Sequence, residues 1–167
     1  MSQQEGKPSR KSQAPKTPVK GSVEKYLSYR EAWARIKEAI KAGFYLEAVT
    51  LEESIISDRR ISHLVGIGAI KRQEKLHQYP GLGGLISKWK QQETILDWTP
   101  ADSCSLQTAV DDWRNRRNAV VHGMVKSHPG TPTEDIADFL ELSREAVRCG
   151  EKLARAVCRW HKSAKLR

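Results

Sequence analysis

Apolar residues recur along most of the chain in steps of three and four, which is the spacing of an amphipathic helix. Glycines and prolines interrupt this rhythm and divide it into five stretches. The predicted helices run from Ser22 to Gly43, from Phe44 to Gly66, over Leu82–Trp89, from Asp102 or Ser103 to a point before His128, and from an N-cap at Thr133 almost to the C-terminus. No stretch alternates as a half-buried strand would. The pattern therefore predicts an all-α fold, an up-and-down bundle of four or five helices.

The first 21 residues lack this rhythm. They are rich in Ser, Gln, Lys and Pro, and their only apolar residues are Met1, Ala14 and Val19. So little apolar surface does not offset the entropy lost on ordering. We therefore expect a disordered basic tail over 1–21 and a single helical domain over 22–167, because 167 residues suit one domain.

The chain also lacks the usual signals for export or membrane insertion. No run approaches the ~18 consecutive apolar residues of a membrane span, and the N-terminus has no apolar core of a secretory signal. The three cysteines, Cys104, Cys149 and Cys158, form no CxxC pair, which fits a reducing compartment. We expect a cytoplasmic protein that makes no membrane contact and has no cysteine-based zinc site.

The formal charge of +9 is concentrated at the two ends of the chain. Residues 1–20 hold five Lys or Arg against one Glu, residues 148–167 hold seven against one, and the middle is nearly balanced. Such ends attract a polyanion electrostatically. Basic tails are common on proteins without a specific polyanionic ligand, so the functional argument depends on the middle of the chain.

The fourth predicted helix carries an arginine at a position that should face the core. Its apolar row passes through Leu106, Val110 and Trp113 and then reaches Arg117 before Val120. A guanidinium at such a position is costly unless an acid pairs with it or it lines a wet cleft. Beside this row a polar stripe recurs at steps of 4, 3 and 4, formed by Asp111, Asn115, Asn118 and His122.

The segment from Arg117 to His122 resembles the R-N-x-x-x-H signature of the HEPN superfamily, whose name stands for higher eukaryotes and prokaryotes nucleotide-binding. It matches at all three motif positions and falls on a late helix of a small bundle. Many members of that superfamily are all-α, metal-independent ribonucleases whose two motifs meet across a homodimer. The resemblance therefore implies an HEPN-like domain over 22–167, RNA as substrate, a homodimer, and neither a metal nor another cofactor.

The resemblance also implies roles for individual residues. His122 would be the acid and base, Arg117 would stabilise the phosphorane, and Asn118 would position the imidazole or the phosphate. The nearby Arg114, Asn115 and Arg116 would contact RNA. Attack by the 2′-hydroxyl would leave a 2′,3′-cyclic phosphate and a 5′-hydroxyl.

Helix geometry adds a condition to this scheme. Arg117 and His122 are five residues apart, so they point about 140° away from each other around an ideal helix. Either the long arginine reaches around the helix, or two copies of the chain supply complementary groups across a two-fold axis. The second arrangement also explains how the apolar row containing Arg117 could be buried, and it predicts an isologous dimer.

A structural interpretation of the same residues remains open. Arg117 could pair with one of the acids of the second helix, namely Glu47, Glu52, Glu53 or Asp58, and His122 could simply end its helix. The chain would then be a non-catalytic HEPN-like adaptor that binds RNA or a protein.

The leading hypothesis is an endoribonuclease that acts as a toxin or defence effector, with an antitoxin or regulatory protein as a possible partner. Some toxins of the superfamily carry a modified Tyr two residues after the histidine. Gly123 and Met124 follow His122 here, which puts that mode of regulation in doubt. The lone Glu74-x-x-His77 spacing does not make a metal site, since di-iron bundles need two such pairs.

Overall fold

The last helix of the chain is also its longest, and the other helices pack around it and α2. In the computed structural model, which describes residues 22–92, 97–99, 102–123 and 135–164, the helices are α1 (Ser22–Ala42), α2 (Tyr45–Gly66), α3 (Leu82–Gln92), α4 (Leu106–Gly123) and α5 (Ile136–Ala164). A short 3-10 helix lies at Leu76–Gln78 in the connection between α2 and α3. The predicted all-α bundle is confirmed. The predicted tail, 1–21, lies outside the described residues.

Helices α2 and α5 make the most extensive helix–helix contact, and α4 packs mainly on α5. Helix α1 lies against α2, while α3 bridges α2 and α4. Small residues allow the close approach of α5, because a methyl group at Gly150 would meet the side chains of Glu52 and Trp113. The core therefore lies between α2, α4 and α5.

The sharp corner between α1 and α2 follows from a glycine signal in the sequence. Gly43 has a φ of +78°, a conformation that costs a glycine little. Its N–H bonds to the carbonyl of Ile40, and the N–H of Phe44 bonds to the carbonyl of Ala39. This is the Schellman pattern that ends a helix, so the predicted end of the first helix is confirmed.

Two short strands precede α4, where the sequence predicted the start of a helix. Strand β1 (Asp97–Thr99) pairs antiparallel with β2 (Asp102–Ser105), with Asp97 opposite Ser105. The prediction that the fourth helix begins at Asp102 or Ser103, and that the chain has no strand, was wrong. The helix begins at Leu106, which is the first buried residue of its apolar row.

The last helix begins with a side-chain cap. The carboxylate of Asp135 accepts a 2.7 Å hydrogen bond from the backbone N–H of Ala137. This satisfies one of the free N–H groups at a helix start. The predicted N-cap, Thr133, lies outside the described residues.

A buried cation joins α2 to α3 and α5. Arg60 is fully buried, and its guanidinium lies over the indole rings of Trp89 and Trp160, 4.6 Å from the centroid of the latter. Both tryptophans therefore pack against the same buried cation. None of the described helices is both long enough and apolar enough to cross a membrane.

Candidate functional site

Helix α4 carries every residue of the predicted site, and its buried face fixes its position. Val110, Trp113 and Val120 are buried. The indole N–H of Trp113 donates a 2.8 Å hydrogen bond to the carbonyl of Ala146 on α5. A buried indole N–H without such a partner would be costly, so this bond sets the rotation of α4 about its own axis.

Arg117 lies one turn beyond Trp113 at the edge of the core, where 20% of its side chain is exposed. One terminal nitrogen donates to the carboxylate of Glu53 on α2 in an ion pair. The other donates a 2.8 Å hydrogen bond to the amide oxygen of Asn118. The guanidinium is thus held by one acid and one amide while part of it still reaches solvent.

The structure selects one of the four acids that the sequence left open as partners for Arg117. Glu53 pairs with it, whereas Glu47 is exposed and Asp58 bonds to residues of α1. Glu52, the immediate neighbour of Glu53, points into the core instead. Sequence periodicity placed all four acids on one helix but could not say which one meets α4.

Glu52 is a buried acid that the sequence did not single out. Its side chain is 0% exposed, and neither carboxyl oxygen has a hydrogen-bond partner among the described residues. Burial, together with the charge of Glu151, raises the pKa of this carboxyl to about 9. At neutral pH it is therefore protonated and uncharged.

His122 lies in the last turn of α4 and is exposed. Its ring makes no hydrogen bond or ion pair with another described residue. The five-residue separation turns it about 140° away from Arg117 around the helix. A single chain therefore brings Arg117 and Asn118 together, whereas His122 points away from Arg117 around the helix.

The three predicted RNA-contacting residues differ in their freedom to move. Arg114 forms an ion pair with Asp111 at 3.1 Å and donates to the amide oxygen of Asn115 at 3.1 Å. Lys90 on α3 also reaches Asp111, at 2.7 Å, and this bond is the main reason that the pKa of the Asp111 carboxyl lies below its usual range. Arg116 and Asn115 are exposed. Of the two arginines in this group, Arg116 is the one without an ion pair to another described residue.

Glu74 and His77, the isolated pair with a metal-ligand spacing, are both exposed. Across the part of the chain that the structure describes, no group of three or more His, Cys, Asp or Glu side chains is placed to hold a metal ion.

Comparison of the chain with protein-family models, with curated proteins and with solved structures found no match.

Proposed function

We propose that the chain is a metal-independent endoribonuclease of the HEPN type, acting in the cytoplasm as a toxin or defence effector. The observation that supports this most directly is the state of Arg117. Its guanidinium is oriented by Glu53 and Asn118 and yet keeps one fifth of its side chain exposed. A planar cation that is already oriented is suited to receive phosphate oxygens.

The proposed reaction uses the substrate's own 2′-hydroxyl. His122 takes the proton from that hydroxyl while the oxygen attacks the adjacent phosphorus. The new O2′–P bond forms as the P–O5′ bond breaks, and the imidazolium of His122 returns the proton to the leaving 5′-oxygen. The products are a 2′,3′-cyclic phosphate and a 5′-hydroxyl.

Charge builds up on the two non-bridging phosphate oxygens during the attack. Arg117 stabilises that charge with the N–H groups that Glu53 and Asn118 do not occupy. The amide oxygen of Asn118 accepts from Arg117, so its amide N–H groups remain for the phosphate. Arg114, Asn115 and Arg116, on the same helix, contact neighbouring phosphates or bases.

Two chains are needed to assemble this site. Because His122 and Arg117 diverge by about 140° on one helix, the imidazole of one chain acts with the guanidinium of a second chain across a two-fold axis. Such an isologous contact creates two equivalent sites in a homodimer. An antitoxin or other regulatory protein would block this cleft.

The test is cleavage of total RNA in the presence of EDTA. Wild-type protein is expected to produce fragments ending in 2′,3′-cyclic phosphate, while His122→Ala and Arg117→Ala produce none. His77→Ala and Arg159→Ala are matched controls, because both residues are exposed and belong to elements other than α4. Folding of each variant is checked by circular dichroism, and Arg117→Lys shows whether charge without the planar fork is enough.

Expression of the wild-type protein is expected to arrest growth of a host cell, and His122→Ala is expected to relieve the arrest. If wild type and His122→Ala behave alike in both assays, the imidazole has no catalytic role. Loss of cleavage on chelation would remove the metal-independent mechanism.

The second candidate is a non-catalytic adaptor, which the Arg117–Glu53 ion pair favours. If that pair only joins α4 to α2, then Arg117→Ala lowers the melting temperature while His122→Ala changes nothing. The adaptor would bind RNA or a protein through its basic ends without cutting RNA.

A further inference from the structure

A groove with a volume of about 550 Å³ runs along one side of α1, where α5 lies beside it. We call it the α1 groove. Its walls include three aromatic and three basic residues: Tyr26, Tyr29, Trp33, Arg30, Lys37 and Arg155. Among the described residues that line it, none belongs to α4, which carries the proposed catalytic groups.

Two of the three aromatic rings of the α1 groove, those of Tyr29 and Trp33, make contacts that orient them. Tyr29 donates a 2.6 Å hydrogen bond to Asp58 on α2, and the guanidinium carbon of Arg59 lies 4.1 Å from the centre of its ring. The guanidinium carbon of Arg155 lies 4.4 Å from the centre of the Trp33 ring. Rings fixed in this way lose little entropy when a planar group stacks on them.

Arg155 is itself oriented by an acid on its own helix. Its Nε and one terminal nitrogen donate to the same carboxylate oxygen of Glu151, at 3.0 and 2.6 Å. The cation therefore lies over Trp33 as part of the wall of the groove.

The other two cations are available to a ligand. Arg30 and Lys37 are exposed, and neither forms an ion pair with another described residue. Glu38 is the one acid among the described lining residues, so the groove carries an excess of positive charge. It is therefore suited to an anion that also presents planar rings.

We propose that the α1 groove binds a single-stranded segment of RNA, with bases stacked on the aromatic rings and phosphates beside Arg30 and Lys37. Stacking platforms inside a cationic groove are the usual composition of single-strand binding surfaces. The choice of RNA rests on the proposed function. The site itself is separate from α4, and binding there does not require cleavage.

Two other occupants fit this surface less well. An amphipathic peptide would bury aliphatic side chains, and Ala34 is the only aliphatic residue among the described lining residues. The protein's own first 20 residues carry five Lys or Arg against one Glu, so they have the same sign of charge as the groove. A polyanion with planar rings matches both the charge and the aromatic surface.

The test measures binding of a fluorescently labelled, unstructured 12-nucleotide RNA by anisotropy at several salt concentrations. The background variant is His122→Ala, which keeps the RNA intact during the measurement. In this background, Arg30→Gln with Lys37→Gln is expected to weaken binding at least tenfold at low salt. The slope of log Kd against log salt is expected to fall by about 1.4, since each phosphate contact to a single strand contributes about 0.7.

A matched control removes two positive charges from the same helix outside the groove. Arg35 and Lys41 are exposed and do not line it, so Arg35→Gln with Lys41→Gln is expected to change Kd less than threefold. Tyr26→Leu keeps the apolar bulk but loses the ring. It is expected to weaken binding about fivefold without changing the salt slope, because the ring contacts a base rather than a phosphate.

Equal Kd values for the groove and control double variants would overturn the proposal. So would competition by polyglutamate as strong as competition by RNA, which would indicate an acidic peptide site. If free AMP competes as strongly per nucleotide as the oligonucleotide does, the ligand of the groove is a mononucleotide and not a strand. Intact binding by a protein that cuts no RNA in EDTA would refute the proposed nuclease and leave the groove assignment standing.

Discussion

The buried carboxyl of Glu52 is expected to make the folding stability depend on pH. It lies in the core beside Gly150 and Trp113, and it has no hydrogen-bond partner among the described residues. Burial, with the Glu151 charge as a second cause, raises its pKa from 4.5 to about 9. The substitution that isolates this effect is Glu52→Gln, which keeps the shape and removes the ionisation.

The direction of the effect follows from proton binding in the two states. Between pH 4.5 and about pH 9, the unfolded chain releases the Glu52 proton while the folded chain retains it. Because the folded state binds more protons, its stability falls as the pH rises through this window. Each pH unit costs about 1.4 kcal/mol, so the loss at pH 7 is about 3 kcal/mol relative to pH 4.5.

The variant is expected to lack this loss. At pH 4.5 the protonated carboxyl and the amide are both neutral, so wild type and Glu52→Gln should have similar free energies of unfolding. At pH 7 the variant should be more stable by about 3 kcal/mol. Raising the pH further to 8 should widen the difference again.

Urea unfolding at pH values from 4.5 to 8, followed by circular dichroism, measures this difference. The exposed Glu47 provides a control, since Glu47→Gln should give a curve parallel to that of the wild type. A constant difference between wild type and Glu52→Gln across the pH range would refute the reasoning. It would mean that the carboxyl is ionised in the folded protein or reaches solvent.

Three further predictions test the packing, the helix cap and the ion pair described above. Gly150→Ala places a methyl group within 2.8 Å of the Trp113 ring and closer still to the buried carboxyl, so it should lower stability by about 1–3 kcal/mol in thermal denaturation. Asp135→Ala removes the cap of α5 and should cost about 1 kcal/mol, which Asp135→Ser should largely restore. A double-mutant cycle with Glu53→Gln and Arg117→Ala should give a coupling energy of about 1 kcal/mol, and a value of zero would show that the ion pair does not join α2 to α4 in solution.

The helices could be predicted because their signals are local. The turn after Ala42 is encoded by one glycine, and the apolar rows of α2 and α5 recur over many turns. The antiparallel pair of strands before α4 could not be predicted from local signals. The segment Asp102–Ser105 has no alternating apolar pattern, and its pairing with Asp97–Thr99 is a contact between two short segments rather than a property of either one.

The residues of the candidate site that lie on α4 could be predicted from the sequence, but their partners on other helices could not. The apolar row showed that Arg117 needs a partner, and the structure supplies Glu53. Which acid of α2 reaches α4 depends on how the two helices are rotated, and no residue spacing within either helix records that rotation. The same limit applies to Trp33 on α1. It packs against the core but also lines the α1 groove beside Arg155, a residue 122 positions away in the sequence.

The two adjacent acids of α2 differ in charge, which matters for the proposed contact between Arg117 and RNA. Glu52 is neutral in the core, whereas Glu53 forms an ion pair with Arg117. A phosphate that approaches Arg117 must compete with a carboxylate already in place. In the proposed enzyme, Arg117 therefore contributes little to the affinity for the bound substrate. It contributes most to stabilising the phosphorane, which carries more negative charge. In the same proposal, affinity for the strand comes from cations without acidic partners among the described residues, such as Arg30 and Lys37 in the α1 groove.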